Sequence, residues 1–144
     1  MKILKFGGKS LSYGDGFDKT IAIILEKINN NEKIAVVVSA IANATDELEE
    51  ILEKALKNEA YQDELNAFQK YQQSNFEVDL SEEFWVLEKI FEGVALVGDY
   101  SKKVKDNVLA QGEVISAKIV TQALKDKGVN ANFSDARLLI KTDA

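Results

Sequence analysis

The sequence predicts an α/β fold in which a mainly parallel sheet carries a helical subdomain inserted between its second and third strands. Short apolar runs typical of buried strands lie at the start of the chain and at 34–38, and a third strand is predicted at 129–133. An amphipathic helical pattern separates the first two runs, which makes them the parallel strands of a right-handed β-α-β unit. From about residue 46 to residue 127, apolar residues recur at helical spacing instead.

The first strand, the first helix and the second strand each have their own signal. Lys2–Phe6 is a short apolar run, and Ile34–Val38 is a β-branched run of the kind that is covered on both faces of a sheet. Between them, a glycine-containing loop is predicted at 13–16, and asparagines at 29–31 end the helix. The apolar stripe of that helix consists of Phe17, Ile21, Ile24, Leu25 and Ile28.

The inserted segment is predicted to hold four helices, because its apolar stripes are interrupted three times. The third of these helices follows Asp79 and Glu82, which have the spacing of a capping box. Ser101 is expected to cap the long last helix, and the sequence Lys-Asp-Lys-Gly at 125–128 supplies the basic last turn and the glycine that end it. A third strand at 129–133 follows at once.

The composition excludes several kinds of chemistry. The 144 residues, enough for one domain, include no cysteine and no histidine, which removes disulfides, structural zinc, cysteine nucleophiles and histidine general bases. A net charge of −6 without a basic stripe argues against nucleic-acid binding. No apolar run approaches the ~20 residues of a membrane span, so we expect a cytoplasmic protein without membrane contact. No residue is predicted to be a metal ligand.

The first strand ends in a motif suited to binding phosphate. Gly7 and Gly8 let backbone N–H groups approach an anion, and Lys5, Lys9 and Ser10 add two positive charges and a hydroxyl. The motif is not a P-loop, because the pattern G-x-x-x-x-G-K-[ST] requires a glycine where this chain has isoleucine. The alternative is a tight strand exit beside an ordinary edge lysine.

Two further groups of residues occupy places where α/β folds bind ligands. Ser39 and Thr45 follow the second strand, although Thr45 or Asn43 could also simply cap the next helix. Gly112 stands in the middle of a good helix, where glycine costs about 1 kcal/mol relative to alanine. We therefore expect another part of the chain or a ligand to approach Gly112, or the helix to bend there. Its neighbour Glu113 is either a surface acid or a group that binds an ammonium.

Taken together and in order, these segments resemble the aspartate kinases of the amino-acid kinase family, whose fold is carbamate kinase-like. That family opens on K-F-G-G-T-S, matched by Lys-Phe-Gly-Gly-Lys-Ser at 5–10. It continues with V-V-S-A and a threonine six residues after the serine, matched by Ser39, Ala40 and Thr45. Its later G-E motif with a trailing serine is matched by Gly112, Glu113 and Ser116, and the segment 133–137 resembles the one after the family's next strand.

The resemblance implies that ATP, with Mg²⁺, phosphorylates the side-chain carboxylate of L-aspartate to give 4-phospho-L-aspartate in amino-acid biosynthesis. Lys5 would neutralise charge on the transferred phosphoryl group, and the amides of Gly7 and Gly8, with Ser10, would bind its oxygens. Lys9 stands where the family has threonine. Its side chain either assists phosphate binding or points away from the phosphate.

The resemblance also implies which residues bind the phosphoryl acceptor. Ser39, with Ala40, and Thr45 would position aspartate, and Glu113 would pair with its α-ammonium group. The family's known alternatives are acceptors such as glutamate, acetylglutamate, carbamate or a nucleoside monophosphate. A non-catalytic helical interaction module is the alternative from a different class.

The resemblance further predicts that residues 1–144 are the N-terminal portion of a kinase domain, with the helical insertion at about 46–127. The ATP-binding half and the regulatory domains are then expected beyond residue 144, and this portion alone is expected to be inactive. Some aspartate kinases are fused to homoserine dehydrogenase, and the whole protein is expected to be a homo-oligomer.

Overall fold

The fold was obtained as a computed structural model that describes residues 2–30, 32–134 and 139–143. Within these residues, four strands form one sheet in the order β1-β2-β4-β3. The strands are β1 (Lys2–Phe6), β2 (Ile34–Val38), β3 (Asn130–Ser134) and β4 (Leu139–Asp143). The helices are α1 (Asp15–Asn29), α2 (Ala44–Leu56), α3 (Gln62–Gln72), α4 (Ser81–Val97) and α5 (Lys102–Asp126).

Three of these strands run in the same direction. β1 pairs with β2 in parallel, with Lys5 opposite Val37. β4 is antiparallel to both β2 and β3, so β3 points the same way as β1 and β2. The predicted α/β fold with its parallel β1–β2 pair is confirmed, within a sheet whose other two pairings are antiparallel, but β3 does not lie beside β2. β4, which the sequence analysis did not predict, separates them.

The helical insertion is confirmed, with boundaries that differ by one or two residues from those expected. It begins at Ala44 and ends at Asp126. Ser101 caps α5 as predicted, since its hydroxyl accepts a hydrogen bond from the Val104 amide at 3.2 Å. The Asp79 carboxylate accepts from the amide of Ser81, the first residue of α4, at 3.0 Å. These polar contacts fix where the two longest helices start.

Two details near the first helix differ from the sequence prediction. A 3₁₀ turn at Gly8–Leu11 follows β1 directly. α1 then begins at Asp15, so Gly16 belongs to the first helical turn and not to a loop. The chain therefore turns directly after β1, and α1 begins sooner than the hydrophobic pattern alone indicates.

The helices pack against one face of the sheet. The alternate β2 residues Ile34, Val36 and Val38 belong to the buried core that the helices build, and Leu4 and Phe6 of β1 pack against it. On the other face, Ile3 is 63% exposed. This alternation leaves the outer face of β1 accessible, together with Lys5, which lies on the same face as Ile3.

Candidate functional site

The ends of β1 and β2 are joined by backbone hydrogen bonds. The Ser39 amide donates to the Phe6 carbonyl at 3.0 Å, and the Ala42 amide donates to the Gly8 carbonyl at 3.2 Å. Because the strands are parallel, these bonds connect their carboxyl ends, the edge at which α/β sheets bind ligands. The structure thus brings together the two sequence motifs that follow β1 and β2.

Gly7 and Gly8 have different surroundings. A Cβ atom on Gly8 would lie 2.9 Å from the Ala42 carbonyl oxygen and 3.0 Å from that of Ala40, so only glycine fits. A Cβ atom on Gly7 would have no neighbour within 4 Å. Gly8 is therefore required by the contact with the β2 loop, whereas the space beside Gly7 is open.

Two residues that the sequence analysis missed hold the 3₁₀ turn in place. The buried hydroxyl of Thr20 donates to the Ser10 carbonyl at 2.7 Å. A Cβ atom on Gly16 would come within 3.2 Å of the Lys9 carbonyl oxygen, so α1 approaches the turn closely. The glycine at 16 is the sequence signal for this contact, although the sequence pattern favours a loop there.

The charged and hydroxyl side chains of the first motif face solvent. Lys5, Lys9 and Ser10 are exposed, and the Ser10 amide donates to the Gly7 carbonyl at 3.1 Å. The structure therefore places two lysines and a serine close in sequence to the open space beside Gly7. Such a group of cations and polar donors is suited to binding phosphate oxygens.

Gly112 is the point where α5 meets both α2 and the loop after β2. A Cβ atom on Gly112 would lie 3.0 Å from Leu48 Cδ1 and 3.4 Å from Ala40 Cβ. The expectation that another part of the chain approaches this glycine is confirmed. The same contact brings Glu113, which is half-buried, to the end of β2.

Two contacts fix the relative direction of α2 and α5. Glu49 forms an ion pair with Lys105 at 3.9 Å, and Leu48 contacts the Gly112 position, so the two helices run antiparallel. Thr45 lies one turn before Leu48 on α2.

The helix-capping alternative for Thr45 is not supported by the structure. α2 starts at Ala44, so Thr45 lies inside the first turn, and its side chain is exposed. The residue at the cap position is Asn43, whose side chain makes no capping hydrogen bond. Ser39 is also exposed, while Ala40 is buried against Gly112.

The loop between β2 and α2 contains a strained residue. Ala42 has a φ angle of +53°, in the left-handed region that costs a residue with a Cβ atom about 1–2 kcal/mol. Its amide and carbonyl groups both contact Gly8. The contact between the two strand ends holds this conformation, which sequence reasoning did not identify.

Two acidic residues of α2 line a cavity that is separate from this site. Glu47 and Glu50 line a cavity of about 330 Å³ between α2 and α3, with Phe68 and Tyr71 on its other side. Burial raises the pKa of the Glu47 carboxyl, and the neighbouring Glu50 carboxylate raises it further. At about 100° per residue, Glu47 lies on the opposite side of α2 from Thr45, so the cavity is separate from the site.

Two other kinds of feature are absent from the described part of the chain. It contains no group of three or more Asp, Glu, His or Cys side chains that could hold a metal ion. Among its helices, none combines the length and the apolar character needed to cross a membrane. The segment 135–137, part of the last motif in the sequence, lies outside the described residues.

A family model described as the amino acid kinase family matches residues 1–143. The bifunctional aspartokinase/homoserine dehydrogenase of Buchnera aphidicola subsp. Acyrthosiphon pisum (strain APS) is 30% identical, over 92% of this chain and 18% of that protein. The chloroplastic bifunctional aspartokinase/homoserine dehydrogenase of Daucus carota is 24% identical, over 94% of this chain and 16% of that protein. The chain thus spans less than a fifth of the length of these relatives.

A solved structure supports the fold independently. The aspartate kinase of Clostridium acetobutylicum superposes with a TM-score of 0.61 at 20% identity. The superposition covers 87% of this chain and 29% of that one. At this level of identity the likeness concerns the fold.

Proposed function

The chain belongs to the amino acid kinase family, and we propose that it supplies the acceptor and phosphoryl-binding part of an aspartate kinase. The main support is the meeting of three segments at one edge of the sheet: the glycine turn after β1, the loop after β2 and the Gly112 turn of α5. The relatives named bifunctional aspartokinase/homoserine dehydrogenase support aspartate as the acceptor and a fused parent protein.

In the proposed reaction, an oxygen of the aspartate side-chain carboxylate attacks the γ-phosphorus of ATP. The bond from that phosphorus to the bridging oxygen breaks, ADP leaves, and 4-phospho-L-aspartate forms. The acceptor is already ionised at neutral pH, so no general base is needed. This suits a chain without histidine, because the protein has only to position the reactants and neutralise charge.

On the phosphoryl side, Lys5 stabilises the negative charge that spreads over the transferred group. Amide groups at Gly7 and Gly8, with the Ser10 hydroxyl, bind its oxygens in the open space beside Gly7. Lys9 adds a second positive charge. Mg²⁺ enters the proposal only as the ion that normally accompanies ATP, since the described residues hold no cluster of metal-binding side chains.

On the acceptor side, Ser39 and Thr45 donate hydrogen bonds to aspartate, and Glu113 binds its α-ammonium group. The Ala40 backbone holds the acceptor beside them. The half-buried carboxylate of Glu113 favours an acceptor with a free ammonium group. Within the family's acceptors this separates aspartate and glutamate from acetylglutamate, carbamate and nucleoside monophosphates.

The acceptor assignment can be tested by steady-state kinetics on the full-length polypeptide that contains these residues. We expect Glu113→Gln to raise KM for aspartate roughly 10- to 100-fold with a much smaller change in kcat, because the lost interaction is a charge-assisted hydrogen bond to the substrate. Gln111→Ala is the matched control, since Gln111 faces the cavity between α4 and α5 and should leave KM unchanged. An acceptor other than aspartate with the highest kcat/KM would move the proposal to another member of the family, and no kinase activity on any acceptor would refute it.

A further inference from the structure

The outer face of α4 exposes unusually large apolar side chains. Trp85 is 60% exposed, Leu96 88% and Val97 75%. Isolated exposed apolar residues are normal, whereas several on one helix make that helix a candidate binding surface. Tryptophan in particular is enriched among the residues that contribute most to protein interfaces.

Trp85 and Leu96 lie on one face of the helix, in a stripe with two charged residues between them. Trp85, Lys89, Glu92 and Leu96 follow at intervals of four, three and four residues, which is the spacing of one helical face. The stripe is about 16 Å long at 1.5 Å per residue. It lies opposite the buried residues Phe84, Leu87, Phe91 and Val94, which attach α4 to the core.

The stripe is complementary to the same stripe on a second copy of the chain when the two α4 helices run antiparallel. In an antiparallel arrangement with a two-fold axis between Lys89 and Glu92, Trp85 faces the partner's Leu96, and Lys89 faces the partner's Glu92. The apolar ends thus meet apolar ends, and each positive charge meets a negative one. Gly93 flanks the stripe with open space around its Cβ position, so two helices can approach closely there.

We propose that α4 forms an isologous homodimer interface in which two α4 helices pack antiparallel through this stripe. In the single chain, the Lys89 ammonium lies 6.0 Å from the Trp85 ring centre and 3.4 Å from the Glu92 carboxylate. Dimer formation gives each of these charges a second partner and removes the Trp85 ring from water. The contact is short, and each copy carries a net charge of −6, so the dimer is weak and depends on concentration.

The fluorescence of Trp85 provides a direct test, because it is the only tryptophan in the chain. We expect its emission to shift to shorter wavelength as concentration rises, together with a monomer–dimer transition in sedimentation equilibrium. Leu96→Ala removes the group that faces Trp85 across the axis without touching the core. It should weaken dimerisation at least about tenfold and reduce the shift.

A charge exchange tests the antiparallel register. Lys89→Glu gives an all-acidic stripe and Glu92→Lys an all-basic one, so neither variant should dimerise alone. An equimolar mixture should form heterodimers, and this result is not expected from association elsewhere on the surface. The helical content of each variant, measured by circular dichroism, shows that both remain folded.

Ile3→Ser is the control for association through the open sheet face. If Ile3→Ser removes self-association while Leu96→Ala does not, the sheet face is the interface and the proposal is wrong. A chain that remains monomeric with unchanged emission over the whole concentration range also refutes it, as does failure of the charge-exchanged pair to associate.

Discussion

At the scale of single residues, three glycines of the candidate site differ in what surrounds them. Gly8 touches the carbonyl groups of the β2 loop, and Gly112 touches Leu48 and Ala40. Gly7 has open space where a side chain would be. The first two therefore hold the three segments of the site together, whereas Gly7 is available to a ligand.

This difference predicts opposite effects of two alanine substitutions. Gly8→Ala should lower the free energy of unfolding by about 1–3 kcal/mol, because the new methyl group meets backbone atoms that cannot move aside. Gly7→Ala should change it by less than about 0.5 kcal/mol, since Gly7 has an ordinary extended backbone with φ −85°. Urea unfolding of both variants measures this. Equal losses of stability would show that the two glycines do not differ in this way.

The sequence pointed to the three glycines of the site but not to Thr20 or Ala42, which contact the same segments. Gly112 was recognised because glycine is unfavourable within a helix, and the Gly-Gly pair because it ends a strand. Thr20 and Ala42 carry no comparable signal. A buried threonine on a helix is common, and the left-handed backbone of Ala42 results from its contact with Gly8 across 34 positions of the chain.

At the scale of elements, the start of α4 should depend on pH. Hydrogen bonds from the Ser81 hydroxyl and amide lower the pKa of the Asp79 carboxyl below its ordinary value of 3.8. A lowered native pKa means that this contribution to stability is complete above pH 3.8 and is lost as the pH falls through the native value. Asp79→Ala should therefore be less stable than the parent at neutral pH but equally stable in strong acid. Chemical unfolding at several pH values tests this, and a stability difference that does not change with pH would contradict it.

The junction between α4 and α5 depends on a buried ion pair. The Lys118 ammonium donates to both carboxylate oxygens of Glu83 at 2.9 and 3.0 Å, and Glu83 is only 4% exposed. Lys118→Met should cost about 3 kcal/mol, because it leaves a buried carboxylate without its partner. The double variant Glu83→Gln/Lys118→Met should recover most of that loss.

Lys105→Met is the control for this prediction, since Lys105 lies on the same helix in an exposed pair with Glu49. It should change the free energy of unfolding by less than about 1 kcal/mol. Thermal or urea unfolding of the three variants measures the differences. A similar loss for Lys105→Met and Lys118→Met would show that burial of Glu83 is not the cause.

Most elements could be predicted because their signals are local. Hydrophobic periodicity gave the five helices and the first three strands to within a few residues, and the Ser101 cap was visible in the sequence. The 3₁₀ turn and the early start of α1 were not predicted. They depend on packing between the turn and Gly16, which no local pattern records.

At the scale of the whole molecule, the order of the strands could not be predicted in full. The parallel pair of β1 and β2 follows from their short connection, whereas the insertion of β4 between β2 and β3 depends on long-range pairing. The meeting of the site segments followed from strand direction alone, because parallel strands bring their carboxyl ends to one edge. The contact of α5 with that edge, 67 residues beyond Thr45, was inferred from the family resemblance, and its geometry came only from the structure.

The central claim is that Lys5 serves phosphoryl transfer to aspartate. The most direct test is an assay with ATP, Mg²⁺ and hydroxylamine, which converts the acyl phosphate product to aspartyl hydroxamate. The assay would compare the full-length polypeptide that contains these residues with its Lys5→Ala variant. The Lys2→Ala variant is the control on the same strand, and residues 1–144 alone are a further sample. We predict that Lys5→Ala lowers the rate at least about 100-fold, that Lys2→Ala does not, and that residues 1–144 alone give no product. Aspartate-dependent hydroxamate formation that is unchanged by Lys5→Ala, or no formation by the full-length polypeptide, would contradict the claim.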